Sequence, residues 1–149
     1  MARAKLDLPE KFGFSTEIPV RISDINYGGH LGNDSVLSLV HEARIRFLNA
    51  LGFTEFNIDG LGIIMTDAVI LYKSEAFYGD MLTIEVTTAD FSKRGCDFLF
   101  KITNKNTGKE VARAKTGIVF FDYSQKKIAH VPEIFKTVVS EQLSVIGNQ

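Results

Sequence analysis

Tryptophan is absent from this chain, cysteine occurs once and proline only three times. Cys96 has no second thiol to pair with, so no disulfide within the chain staples the fold and no CxxC pair holds zinc. No apolar run reaches the roughly 18 residues that mark a membrane helix. The first ten residues, MARAKLDLPE, carry charge and a proline where a secretory signal has its apolar region. An excess of charge is missing too: 17 Lys plus Arg stand against 18 Asp plus Glu, a formal net charge of −1. That balance provides no general attraction for nucleic acid or for a membrane surface. His30, His41 and His130 show no metal-ligand spacing such as HExxH, so no structural metal is expected. Repeats, low-complexity tracts and linkers are likewise lacking. What is left, 149 residues of which 45% are hydrophobic, reads as one cytoplasmic domain over 1–149 with a sizeable core.

Hydrophobic periodicity orders that chain. EIPVRIS, 17–23, places Ile18, Val20 and Ile22 on one face and predicts a strand. NDSVLSLVHEARIRFLNALG predicts a long helix, with Val36, Leu39, Val40, Ala43, Phe47 and Leu51 at helical spacing. Leu37, Ile45 and Leu48 widen the stripe, so burial against more than one surface is expected. Asn33, Asp34 and Ser35 are all good N-caps, and Gly52 is a good stop. From residue 62 the period changes to two. GIIMTDAVILYKS, GDMLTIEVTTADF, CDFLFKITN and EVARAKTGIVFFDY read as four successive antiparallel strands separated by turns, the last closing at SQKK. VPEIFKTVVSEQL reads as a short C-terminal helix. The class is α+β, with a sheet of about five strands curled around one long helix.

Between the first strand and the helix lies SDINYGGHLGND, 23–34, dense in polar side chains and glycine. Gly28, Gly29 and Gly32 let main chain approach a ligand closely or simply shape the turn. The head of the helix beyond them presents unpaired N–H groups and the positive end of the helix dipole, which together suit an anion. Asp24 reads equally as a loop carboxylate in an Asx-type turn, and His30 as a histidine that holds the loop.

These residues resemble the signature of the hotdog-fold acyl-CoA thioesterases similar to 4-hydroxybenzoyl-CoA thioesterase. That signature runs Asp-x-Asp, Gly-His-x-Asn-Asn, then a helix bearing Glu-Ala-Arg. Here it stands as Asp24-Ile25-Asn26, Gly29-His30-Leu31-Gly32-Asn33 and Glu42-Ala43-Arg44, and LYKSEAFYGD, 71–80, resembles the Tyr-rich loop of the same family. The likeness spans roughly 15–136. It implies hydrolysis of an acyl-CoA or acyl-carrier-protein thioester with no cofactor, in a homodimer joined edge to edge or a homotetramer of two such dimers. It also implies that the Asn33 N–H stabilises the oxyanion and that Asn26 faces the thioester, with Asp24 and His30 beside them. Tyr27, Gly28, Gly29, Leu31 and Gly32 would then line the substrate.

Two positions depart from the signature: Asn26 replaces its usual catalytic carboxylate, and Gly32 replaces its first Asn. An amide is no general base near neutral pH. Glu42 and Asp67 are the other carboxylates to consider. Glu42 lies about 13 Å along the helix from Asn33, so it reaches a shared site only from a neighbouring subunit, and it otherwise pairs with Arg46 one turn on. Asp67, a charge inside an apolar run, must be paired, exposed or functional. Lys73, Lys93, Arg94 and Arg113 are available to coenzyme A phosphates but have no specific assignment, and Phe98, Phe100, Phe120 and Phe121 read as core. A non-catalytic acyl-CoA-binding protein is the alternative. A hydratase or dehydratase fits less well, because five residues separate Asp24 from His30 where those enzymes have four.

Overall fold

A computed structural model describes residues 3–147. Its first strand, β1 (Phe14–Pro19), stops short of the one expected at 17–23. Ile18 and Val20 are buried as alternation requires, but Ile22 is 72% exposed. The cause is local. Ile22–Asp24 form a single 3-10 turn, closed by the Arg21 N–H donating to the Asp24 carboxylate at 2.9 Å. A chain bent in this way cannot carry a two-residue alternation further.

The long helix, α1 (Asn33–Ala50), begins one residue earlier than its polar start implies. Gly32 is the N-cap, with no side-chain cap, so Asn33, Asp34 and Ser35 form the first turn instead. The other end follows the expected stop. Gly52 takes φ +90, its N–H donates to the Asn49 carbonyl at 3.0 Å, and the Phe53 N–H donates to the Leu48 carbonyl at 2.8 Å. That pair of bonds needs a left-handed residue, which glycine adopts without strain. Val36, Leu39, Val40, Ala43, Phe47 and Leu48 make one buried stripe. Phe47 packs edge-on between Phe14 and Phe98, with centroids 5.6 and 5.9 Å away. Leu37 and Ile45 are only half-buried, and Ser38, His41 and Glu42 are exposed. Within the chain the helix therefore buries a single face rather than most of its circumference.

Five more strands complete an antiparallel sheet: β2 (Gly62–Tyr72), β3 (Met81–Ala89), β4 (Gly95–Asn104), β5 (Glu110–Asp122) and the short β6 (Lys127–Ala129). The spatial order is β1-β3-β4-β5-β2, with β6 also on β5. The four later strands are thus not paired in simple succession: β2 crosses to the far edge and pairs with β5 along Gly62–Tyr72. Phe98, Phe100 and Phe120 are fully buried, as core residues should be, whereas Phe121 is half-buried against Tyr123 at 4.9 Å. The C-terminal helix, α2 (Glu133–Gly147), seats Phe135 among Phe120, Phe53 and Phe91. β1 and β2 are the two edges of this sheet, and β2 is the more apolar of them on its surface. Ile64 and Met65 remain 37% and 44% exposed on it.

Candidate active site

The segment joining β1 to α1 is a closed loop held by its own hydrogen bonds. Ile25 and Leu31 form an antiparallel bridge, and the Asn26 N–H donates to the His30 carbonyl at 2.9 Å. Inside the loop the Asn26 Oδ1 accepts the Gly28 N–H at 2.9 Å and the His30 N–H at 3.4 Å. Gly29 turns the chain at φ +85, and Tyr27 stands fully exposed at the tip. Two further bonds clamp the loop to the body: Leu31 N–H to the Ala76 carbonyl at 2.7 Å, and Gly32 N–H to the Asp24 carbonyl at 2.9 Å. Asn26 is therefore a turn residue whose oxygen is occupied. Only its amide Nδ2 remains to donate.

At the head of α1, the Asn33 and Asp34 N–H groups have no acceptor among the described residues. Gly32 is buried beneath the Asp34 carboxylate, and a Cβ there would come within 2.5 Å of the Asp34 Oδ1. The Asp34 side chain is exposed and can turn away, so this contact alone does not require glycine where the related signature has Asn. Asn33 opens onto a groove of about 240 Å³ that includes His30, Leu31, Tyr72, Lys73 and Glu75. The Tyr72 hydroxyl donates to the Asn33 carbonyl at 3.2 Å and so ties the groove's wall to the helix head. His30 is loosely held, with Nδ1 at 3.5 Å from the Leu31 carbonyl and Nε2 at 3.8 Å from Glu75. The structure thus brings His30, Leu31 and Asn33 to one groove. Gly28, Gly29 and Tyr27 sit at the exposed loop tip.

The carboxylates go elsewhere. Asp24 is 3% exposed and locked to Arg21 through both of its oxygens. Glu42 pairs with Arg46 at 3.1 Å. Asp67 accepts the Gly117 N–H at 3.1 Å and meets Lys115 at 3.6 Å. Lys115 and Thr116 point to opposite faces of β5, and Thr116 meets α1, so Asp67 lies on the face turned away from the helix. Glu42 and Asp67 are thus held away from the head of α1, and Asp24, whose carbonyl accepts the Gly32 N–H there, has its carboxylate bound to Arg21.

One polar constellation escaped the sequence reading. Arg44, 6% exposed, donates from Nε to the Glu55 carboxylate at 2.7 Å and from Nη1 to Thr116 at 3.4 Å. The other oxygen of Glu55 meets His41 Nε2 at 2.7 Å. Burial pushes the Glu55 carboxyl up, but hydrogen bonds from Arg44 and His41 outweigh it and hold the group below its ordinary value. Glu55 stands in the aperiodic connection between α1 and β2, where no pattern singled it out. The histidine followed by the Glu-Ala-Arg of the helix was the only trace in the sequence. Asp34, Leu37, Ser38, His41 and Met65 line a second groove of about 230 Å³ with Arg44 at its floor. Cys96 is unsuited to chemistry, since burial pushes its thiol up to about 12. Among the described residues, no three His, Cys, Asp or Glu side chains gather as a metal ion requires.

The family model described as the thioesterase-like superfamily matches residues 20–141. Solved structures with the same fold include a 1,4-dihydroxy-2-naphthoyl-CoA thioesterase from Synechocystis, 23% identical, with a TM-score of 0.78 over 86% of this chain and 96% of that one. A DHNA-CoA thioesterase from Staphylococcus aureus is 19% identical, with a TM-score of 0.74 and 90% of each chain covered. A hypothetical protein from the same organism, solved in complex with CoA, is 14% identical, with a TM-score of 0.79 over 94% of this chain and 89% of that one. No curated protein sequence matches the chain. At these identities the likeness establishes the fold: a hotdog, one long helix against an antiparallel sheet.

Proposed function

The chain belongs to the thioesterase-like superfamily, and from that membership we propose that it hydrolyses an acyl-coenzyme A to a free acid and the thiol. The observation that carries this reading is the head of α1, where the Asn33 and Asp34 N–H groups are unspent beside the groove of His30 and Tyr72. Attack on a thioester gathers negative charge on its carbonyl oxygen, and preset N–H donors at a helix N-terminus stabilise that charge without reorganising. Asn33 is the oxyanion donor in this scheme, and His30, Leu31 and Gly32 bound the substrate. Asn26 Nδ2 is left to orient the thioester or a water, its oxygen being committed to the loop. Coenzyme A would reach the groove past Lys73. The apolar outer edge of β2 supports a homodimer built by strand pairing, since an edge strand with exposed Ile64 and Met65 is a template for a second copy. A cytoplasmic setting accompanies this reading, consistent with a lone buried thiol. No helix among the described residues is long and apolar enough to cross a membrane.

Thiol release measured across short, medium, long and aromatic acyl-CoAs tests the proposal. Turnover on at least one class is expected, and folded protein that releases no thiol from any of them defeats it. A non-catalytic acyl-CoA-binding protein is the second reading, favoured by the pairing of Asp24, Glu42 and Asp67 with Arg21, Arg46 and Lys115. Thermal stabilisation by acyl-CoA without thiol release would select it.

A further inference from the structure

We infer that His41, oriented by Glu55, is the general base of this hydrolysis and acts on the thioester held at the α1 head of the partner subunit. The inference rests on the proposed thioesterase reading and supplies the group that reading lacks. Asn26 accepts no proton, Asp24 and Asp67 are bound to Arg21 and Lys115, and Glu42, paired with Arg46, faces β1 rather than the β2 edge. His41 differs from them in its surroundings. Its Nε2 lies 2.7 Å from Glu55, and the buried Arg44 holds that carboxylate ionised from behind at 2.7 Å. A carboxylate at Nε2 selects the tautomer with the proton there and leaves the Nδ1 lone pair as the acceptor. The charged groups around the ring are Glu55 from the connection after α1, together with Arg44 and Asp34 from α1 itself. His41 also borders the second groove, which holds about 230 Å³ and therefore has room for water beside the ring.

Distance decides which thioester it serves. His41 is eight residues beyond Asn33, about 12 Å along the helix, too far for a single water to bridge within one protomer. Met65 of the free edge strand lines the same groove, so a second copy pairing on β2 abuts it. Pairing about a two-fold axis sets the two α1 helices antiparallel. An axis passing beside Leu37, half-buried on this face, brings Asn33 of one helix opposite His41 of the other. Packed helices run about 8–10 Å apart axis to axis, which an imidazole and one water span.

The chemistry balances without a further reactant. His41 Nδ1 takes a proton from water as the water oxygen bonds to the thioester carbon, and the carbonyl oxygen becomes an anion at the Asn33 N–H. Collapse of that adduct breaks the carbon–sulfur bond, and the imidazolium returns its proton to the departing thiolate. One water is consumed, and a carboxylic acid and a thiol are released.

The test has two arms on the full chain. His41→Gln should lower kcat by about 100-fold or more with KM nearly unchanged and abolish the acid limb of the pH–rate profile. Added imidazole should restore part of the rate in His41→Ala. Complementation is the second arm. Asn33→Pro removes the oxyanion N–H at a position where proline suits a helix. Co-expressed with His41→Gln, it should return about a quarter of wild-type activity, because half the dimers are mixed and each carries one intact site. Wild-type turnover with an unimpaired His41→Gln overturns the base assignment alone. An inactive His41→Gln whose mixture stays inactive overturns the shared site. Wild-type protein with no turnover removes the thioesterase reading, and this inference with it.

Discussion

Asn26 shows how one side chain serves two levels of structure. Its oxygen closes the loop through the Gly28 and His30 N–H groups, and each such bond contributes about 0.5–1.5 kcal/mol. Asn26→Ala therefore confounds chemistry with loop order. Asn26→Asp keeps both acceptor bonds, strengthens them with charge, and loses only the Nδ2 donor. We expect Asn26→Asp to fold with a Tm at least equal to that of the parent. A rate change of tenfold or more in either direction on a turned-over acyl-CoA would place this residue beside the thioester, while an unchanged rate would confine it to the turn. The spacing of Asn26 and the glycines was legible in the sequence. That the oxygen was already spent was not, because a five-residue loop closes on itself only once Ile25 and Leu31 bridge.

At the scale of elements, α1 and β2 share one open side. The sequence placed apolar residues on more of α1 than the chain itself buries: Leu37 lies half-buried in the groove of exposed Met65, and Ile45 half-buried in that of Phe56. A helix stripe wider than its own sheet covers is what a second copy would complete. Ile64→Lys places a charge on the free edge strand while altering nothing in the buried core. Sedimentation at micromolar concentration should report a dimer for the parent and a monomer for this variant. Thiol release should fall at least tenfold with the dimer if the site is shared. A variant that remains dimeric would show that association uses another surface. The crossing of β2 to the far side of β5 could not be read from strand patterns, since alternation gives the faces of a strand but not its neighbour.

For the whole molecule, the Arg44–Glu55–His41 chain links the helix to the connection that follows it and to β5 through Thr116. Its pH dependence has a definite sign. The Glu55 carboxyl lies below its ordinary 4.5 in the folded chain, so the unfolded chain binds the proton more readily. The stability that Glu55 contributes is present above pH 4.5 and is lost as pH falls through the lower folded value. Urea midpoints taken from pH 7 to pH 3 should decline more steeply for the parent than for Glu55→Gln. At pH 7 Glu55→Gln should be the less stable, because it leaves the buried Arg44 charge uncompensated. Equal midpoints at both ends would remove Glu55 from the acid response.

The sequence alone determined the class, the number of long elements and the place of the polar loop, because periodicity, caps and turn residues act over a few neighbouring positions. It also ruled out a disulfide within the chain, since one thiol has no partner. Only the tertiary structure decided which strands are left at the edges, which face Asp67 takes, and that Glu55 meets Arg44 and His41 across a connection with no pattern of its own. Those are contacts between segments whose register is set by the shared core. No local rule of spacing carries them.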